Sequence, residues 1–160
     1  MKPSGTVSPS GLEQSSTTYH YRCLDSSKQE IRLLRLLAYT EDHPIECVLD
    51  VASLNDEPPK YVALSYEWGS SPATHSILVN KENFPIKENA YAALRHLRGA
   101  RDDLTLWVDA ICINQSDSYE KSGQVRMMKD IFQRAEKVIT WLGPAADGTD
   151  ELIDLLDEIG

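Results

Sequence analysis

The feature that most constrains this fold is the run Leu104-Thr-Leu-Trp-Val-Asp-Ala-Ile-Cys-Ile-Asn-Gln115, followed by residues 119–136. The run predicts a buried strand that ends abruptly in polar groups. Residues 119–136 predict an amphipathic helix, and Asp117 and Glu120 before its apolar part match a capping box. Its predicted apolar stripe comprises Val125, Met128, Ile131, Phe132 and Ala135. Because ligands sit at the carboxyl ends of strands in open α/β sheets, we expect any chemistry at this polar end.

The remaining patterns predict alternating strands and helices. Residues 31–37 and 45–51 predict an N-terminal β hairpin. The other predicted elements are strands over 61–66 and 137–143, a small hairpin over 77–86, and helices over 88–98 and 152–160. This order predicts an α/β fold with a mostly parallel central sheet flanked by helices, behind the N-terminal hairpin.

Two ends of the chain differ from its middle. Residues 1–18 are rich in Ser, Thr, Pro and Gly, and we expect them to be disordered because they have too few apolar groups to offset the entropy of ordering. The folded domain is therefore predicted over 19–160. The apolar face of the last predicted helix needs a cover, so either it docks on the sheet or the natural chain continues beyond Gly160.

Composition narrows the possible functions. The net charge is −9, and six acidic residues follow the last basic residue, Lys137. No basic stripe is present to neutralise phosphates, so we expect no nucleic-acid binding. No apolar run approaches the ~20 residues of a membrane span, and the N-terminus lacks the apolar core of a signal peptide, which predicts a cytoplasmic protein. The three cysteines form no CxxC pair and the four histidines no ligand pair, so neither disulfides nor a metal site is expected.

Several of these segments together resemble the heterokaryon-incompatibility (HET) domain of filamentous fungi. The resemblance spans roughly residues 19 to 145, with its main motifs within 61–143. At two positions this chain departs from the family pattern, with Lys121 in place of Arg and Phe132 in place of Tyr. The matching motifs, in order, are Tyr61-Val-Ala-Leu-Ser-Tyr-Glu-Trp-Gly69, Ala93-Leu-Arg-His-Leu-Arg98, Leu106-Trp-Val-Asp-Ala-Ile-Cys-Ile-Asn-Gln115, Glu120 with Gln124, Val125 and Met128, and Ala135 through Gly143.

The resemblance implies a role in fungal non-self recognition, in which the domain triggers programmed cell death through self-association or partner binding. The family has been compared with Toll/interleukin-1 receptor (TIR) domains, which implies a TIR- or flavodoxin-like sheet. Some TIR domains cleave NAD with a glutamate, so NAD is a possible substrate and an NAD-cleaving hydrolase is the alternative. A third alternative is an inactive truncated form. A TIR-like catalytic glutamate would follow the third strand, where Glu151 lies outside the matched motifs.

Three acidic residues are candidates for catalysis. Glu120 is placed for general acid–base work or for holding a ribose hydroxyl, or it serves only the capping box. Asp109 is predicted in the strand, on the same face as Trp107, either at a pocket floor or as a buried carboxylate that accepts backbone N–H groups. Glu67 follows the strand over 61–66 and is the third candidate.

The candidate ligand-binding residues come from the same two strand ends. Trp68 either stacks on a flat ring or packs in the core. Asn114 and Gln115 either orient a ribose or an amide, or cap the following helix. Ser65 has no histidine at a diagnostic spacing, which argues against a serine nucleophile. The full predicted set is Ser65, Tyr66, Trp68, Gly69, Asn114 and Gln115.

Overall fold

The computed structural model describes residues 19–40, 42–57, 59–69, 72–144 and 150–155. Residues 1–18, which we expect to be disordered, lie outside these ranges. So do residues 156–160, the last part of the predicted C-terminal helix. The strands are β1 (Glu30–Leu36), β2 (Glu46–Ser53), β3 (Val62–Tyr66), β4 (His75–Val79), β5 (Glu82–Ile86), β6 (Leu104–Val108), β7 (Lys137–Pro144) and β8 (Asp150–Leu155). The helices are α1 (Glu88–Leu97), α2 (Asp109–Cys112) and α3 (Ser118–Arg134), and a 3₁₀ turn covers Ser26–Lys28.

Within the described residues the strands form one sheet in the order β5-β4-β2-β1-β6-β3-β7-β8. The α/β class is confirmed, but the prediction of a mostly parallel sheet is wrong. Parallel pairing holds β6-β3-β7 at the centre and joins β2 to β4. The other four pairs are antiparallel. Short turns allow only antiparallel pairing, as between β4 and β5, where Asn80 and Lys81 both adopt positive φ.

The predicted N-terminal hairpin is present as β1 and β2, and it forms part of the main sheet. It does not stand apart from the sheet, because β1 pairs with β6 through Leu34–Leu106 and Leu36–Leu104. Ile31, Leu34 and Leu36 are fully buried there. The segment before residue 61 therefore contributes two strands to the interior of the sheet.

The predicted C-terminal helix is wrong over residues 152–155. Residues 150–155 form β8, which pairs antiparallel with β7 from Pro144–Asp150 to Val138–Leu155. A short apolar run does not distinguish a strand from a helix by periodicity alone. Here the open edge of β7 supplies backbone partners along the strand, and that long-range pairing prevails over the local helical spacing.

Helix α3 covers the sheet, but its inward face differs from the predicted stripe. Ile131 is buried, and Met128, Phe132 and Ala135 pack against the core. Val125 is 51% exposed, and the neighbouring Gln124 takes the inward position. The ring of Phe132 meets the buried indole of Trp107 edge-on, with centroids 5.6 Å apart. No helix in the described ranges has the length and apolar character needed to cross a bilayer.

Candidate functional site

The carboxyl ends of β3 and β6 lie side by side, because the two strands are parallel with Leu64 opposite Val108. The chain first goes from β3 to β6 on one side and then crosses to β7 on the other. Such a reversal is the topological switch point at which open α/β sheets bind ligands. The residues that follow these two strand ends therefore form the candidate site.

Trp68 and Asp109 meet at this edge. The indole Nε1 of Trp68 donates a hydrogen bond of 3.2 Å to Oδ1 of Asp109. The prediction that Asp109 lies in the strand is wrong. Strand β6 ends at Val108, and Asp109 is the first residue of α2. Burial raises the pKa of the Asp109 carboxyl above its ordinary value, although the hydrogen bond from Trp68 lowers it in part. The site thus holds one desolvated carboxyl beside an indole.

An aromatic cavity of about 150 Å³ opens beside this pair. That volume is similar to a cavity that accepts a single benzene-sized ring. The ammonium of Lys87 lies 5.8 Å from the centroid of the Trp68 ring and donates to the carbonyl of Gly69, whose φ is +78°. The residues that line the cavity are Tyr66, Trp68, Ala73, Phe84, Pro85, Ile86, Lys87, Ala90, Ala110 and Gln115.

The two amides predicted as ligand groups have different surroundings. Gln115 lines the aromatic cavity and donates from Nε2 to the carbonyl of Asp109 at 2.9 Å. Its Oε1 is buried and accepts no hydrogen bond from the described residues. Asn114 instead accepts from the backbone N–H of Ser116 at 3.2 Å, in the manner of an Asx turn. Only Gln115 therefore belongs to the wall of the cavity.

Glu120 is held in a buried ion pair with Arg32. Its two carboxylate oxygens accept from Nη1 and Nη2 of Arg32 at 2.6 and 3.1 Å, and Oε2 also accepts from the backbone N–H of Asn114 at 2.9 Å. Asp117 caps α3 by accepting from the N–H of Glu120. The return bond of the predicted capping box is replaced by the Arg32 pair. Because the carboxylate is occupied on both oxygens, its geometry is that of a structural anchor.

Arg32 is the important residue that the sequence reasoning missed. Its guanidinium also donates to the carbonyls of Cys112 at 3.0 Å and Arg22 at 2.6 Å, and it lies 4.6 Å from the centroid of the Tyr21 ring. One side chain thus joins β1, the end of α2, the start of α3 and the segment before β1. The available signal was Arg32 between Ile31 and Leu33 in a largely apolar run, since a charge buried in a strand needs partners.

Of the remaining predicted residues, Tyr66 lines the aromatic cavity and the others do not. Burial raises the pKa of the Tyr66 phenol. Ser65 is half-buried in β3, opposite Thr140. Glu67 is exposed, and only its backbone carbonyl is bonded, to Nδ2 of Asn89 at 2.8 Å, among the described residues. Glu151 lies in β8, opposite Gly143.

No group of three His, Cys, Asp or Glu residues in the described ranges is arranged to hold a metal ion. The fold and this edge define an α/β domain whose polar and aromatic groups gather at a switch point. The sequence profile described as "Heterokaryon incompatibility protein (HET)" matches residues 61–159. The chain therefore belongs to the heterokaryon-incompatibility family.

One curated relative is similar over most of this chain. "Heterokaryon incompatibility protein 6, OR allele" from Neurospora crassa is 41% identical over 159 residues, which covers 89% of this chain. The match covers 23% of the length of that relative, so the chain spans about a quarter of it. No solved structure matches the chain.

Proposed function

We propose that this chain acts in fungal heterokaryon incompatibility, where it triggers cell death after non-self recognition through self-association or by binding a partner protein in the cytoplasm. Family membership supports the biological role. The observation that carries the choice of mechanism is the state of Glu120, which Arg32 occupies on both oxygens. Glu120 does not line the aromatic cavity, and the described residues that line it include no acid. Asp109 lies beside the cavity through its bond to Trp68, and catalysis of hydrolysis by this single carboxyl is less well supported than binding.

The proposal is tested by inducing this chain in a filamentous fungus and measuring growth arrest and loss of viability. We expect arrest with the unaltered chain and loss of arrest with Trp68→Ala, which removes one wall of the aromatic cavity. Tyr39→Ala is the matched control, because it removes an exposed aromatic ring from the turn after β1. Normal growth despite abundant, folded protein would refute the proposal. Light scattering of the purified chain then separates self-association from the need for a partner.

A second function, NAD cleavage in a TIR-like arrangement, is favoured by one specific observation. The aromatic cavity is ring-sized and lies beside Asp109, whose raised pKa is a common property of catalytic carboxyls. In this reaction the N-glycosidic bond breaks, nicotinamide leaves, and water adds to the ribose carbon to give ADP-ribose and a proton. The other candidate carboxylate is Glu67, which directly follows β3 and is exposed.

The two functions give different results when purified protein is incubated with NAD and nicotinamide is measured. Release of nicotinamide that is lost in Asp109→Asn and retained in Asp103→Asn, an exposed control at the other end of β6, would establish the enzyme. Growth arrest in the fungus without any NAD turnover by the same folded protein would leave the binding mechanism in place.

A further inference from the structure

A second cavity lies between the 3₁₀ turn and the first half of α3. We call it the α3 groove; it has a volume of about 600 Å³ and is bordered by Glu30, Asp117, Gly123, Gln124 and Asp130 among others. That size falls within the ~300–1,000 Å³ of typical small-molecule sites. It shares no lining residue with the aromatic cavity. The α3 groove is therefore separate from the aromatic cavity.

Gly123 keeps this groove open at the expense of helix stability. Glycine is the least favourable residue in a helix interior after proline. At Gly123 neither backbone conformation nor packing requires it, because its φ is not positive and a Cβ added there meets no atom within 4 Å. A side chain at this position would instead extend along the wall of the groove. The fold therefore does not require glycine at this position, whereas the open volume of the groove does.

The adjacent Gln124 also lowers the stability of the fold, because its side chain is buried with one polar atom unpaired among the described residues. It is only 4% exposed, and its Nε2 donates to the carbonyl of Glu30 at 3.0 Å. Since that carbonyl can only accept, the amide must point its nitrogen there, and Oε1 is left buried without a partner among the described residues. A buried acceptor without a donor is destabilising, and its natural partner is an N–H group.

The charges around the α3 groove specify which N–H group fits. Its acidic residues besides the paired Glu120 are Glu30, Asp117 and Asp130, against the single guanidinium of Arg126. Glu30 and Asp117 each accept one backbone N–H and retain free lone pairs. Tyr119, at the rim, is 82% exposed and offers a ring face to a cation. The rim is therefore complementary to a positive charge.

We propose that the α3 groove is a binding site for a small organic amine. Its ammonium N–H groups bond to the carboxylates of Asp130 and Glu30, and its carbon chain lies along Gly123. The Oε1 of Gln124 is buried in this structure, so it accepts from the same ammonium after a shift of the Gln124 side chain. An anion of the same length is excluded by the same carboxylates. The site is independent of the aromatic cavity and of any reaction there.

The test is calorimetric titration of the full chain with 1,5-diaminopentane and spermidine, with glutarate as the anionic control of equal chain length. We expect saturable, one-site binding of the amines and none of glutarate. Gly123→Leu fills the groove and is expected to abolish binding while the melting temperature is unchanged or higher. Gln124→Leu is expected to weaken binding about tenfold, since a hydrogen bond to a charged donor is lost.

A matched pair of charge variants distinguishes binding in the α3 groove from non-specific attraction of amines to an acidic chain. Asp130→Asn removes one carboxylate at the groove, and Asp102→Asn removes one that is exposed and outside it. We expect weaker binding only in the first. Absence of saturable binding by the unaltered chain, retention of binding in Gly123→Leu, or equal losses in the two charge variants would each overturn the proposal.

Discussion

Replacing Glu120 by glutamine tests whether this residue anchors the fold. The substitution keeps the shape of the side chain and one acceptor oxygen, but it removes the negative charge opposite Arg32. The side chains of Arg32 and Glu120 are only 2% and 10% exposed, so solvent cannot compensate the remaining positive charge. The carbonyls of Cys112 and Arg22 still accept from the guanidinium, but they carry no net charge.

The expected loss of stability follows from that burial. Removing one partner of a buried ion pair costs about 3–5 kcal/mol. Because the amide introduced by Glu120→Gln retains an acceptor, we expect the lower end, about 3 kcal/mol, or a fall in melting temperature of roughly 6–12 °C for a chain of this size. The double variant Arg32→Met/Glu120→Leu leaves neither charge unpaired, so its loss should be smaller than the sum of the two single losses by about 2 kcal/mol.

Urea denaturation gives the free energy of unfolding of each protein. The proteins to compare are the unaltered chain, Arg32→Met, Glu120→Leu, the double variant and, separately, Glu120→Gln. The control lies at the other end of β1, where Arg35 and Asp103 form an exposed pair at 3.3 Å with side chains 44% and 40% exposed. Asp103→Asn should change stability by about 1 kcal/mol or less, because solvent screens this pair. A Glu120→Gln protein as stable as Asp103→Asn would refute the anchoring role and would reopen Glu120 as a catalytic candidate.

Three further predictions concern single side chains. Burial raises the pKa of Asp109, so the folded state binds its proton more tightly than the unfolded state and stability falls as pH rises above the ordinary value of 3.8. Asp109→Asn should therefore stabilise the chain near neutral pH, and the gain should vanish below that value, as urea denaturation at both pH values will show. Gly123→Ala should stabilise the chain by about 1 kcal/mol in the same assay, since the added Cβ meets no neighbour. Tyr61→Phe should destabilise it by about 1–3 kcal/mol in thermal melts, because the buried carbonyl of Ile131 loses its 2.5 Å hydrogen bond.

The sequence predicted those parts of the fold that local patterns determine. The limits of β1, β3 and α3 differ from the predicted ones by one or two residues, because apolar periodicity and the cap at Asp117 act over short distances. The sheet as a whole was not predictable in this way. Whether β1 pairs with β2 alone or also with β6 depends on contacts between residues about 70 apart, as in the pair Leu34 and Leu106. A single sequence carries no local sign of such pairing.

The candidate site was predictable to a similar degree. Parallel pairing of β3 and β6 brings Trp68 and Asp109 together, as expected of residues that follow neighbouring strand ends. The environment of Glu120 was not predictable, because its partner Arg32 lies 88 residues earlier in the chain. A capping position explained Glu120 locally and fully, so no local signal pointed to a second partner.

The family profile begins at residue 61, yet the folding unit includes what precedes it. Strand β1 lies between β2 and β6, so a chain that began at residue 61 would leave β6 with an unpaired edge in the middle of the sheet. It would also leave Glu120 buried without Arg32, and the carbonyl of Cys112 without its donor. An open edge invites pairing with other chains, and an unpaired buried charge destabilises the start of α3. The two strands before the profile thus belong to the same folding unit as the motifs within it, and Arg32 of β1 holds the end of α2 and the start of α3.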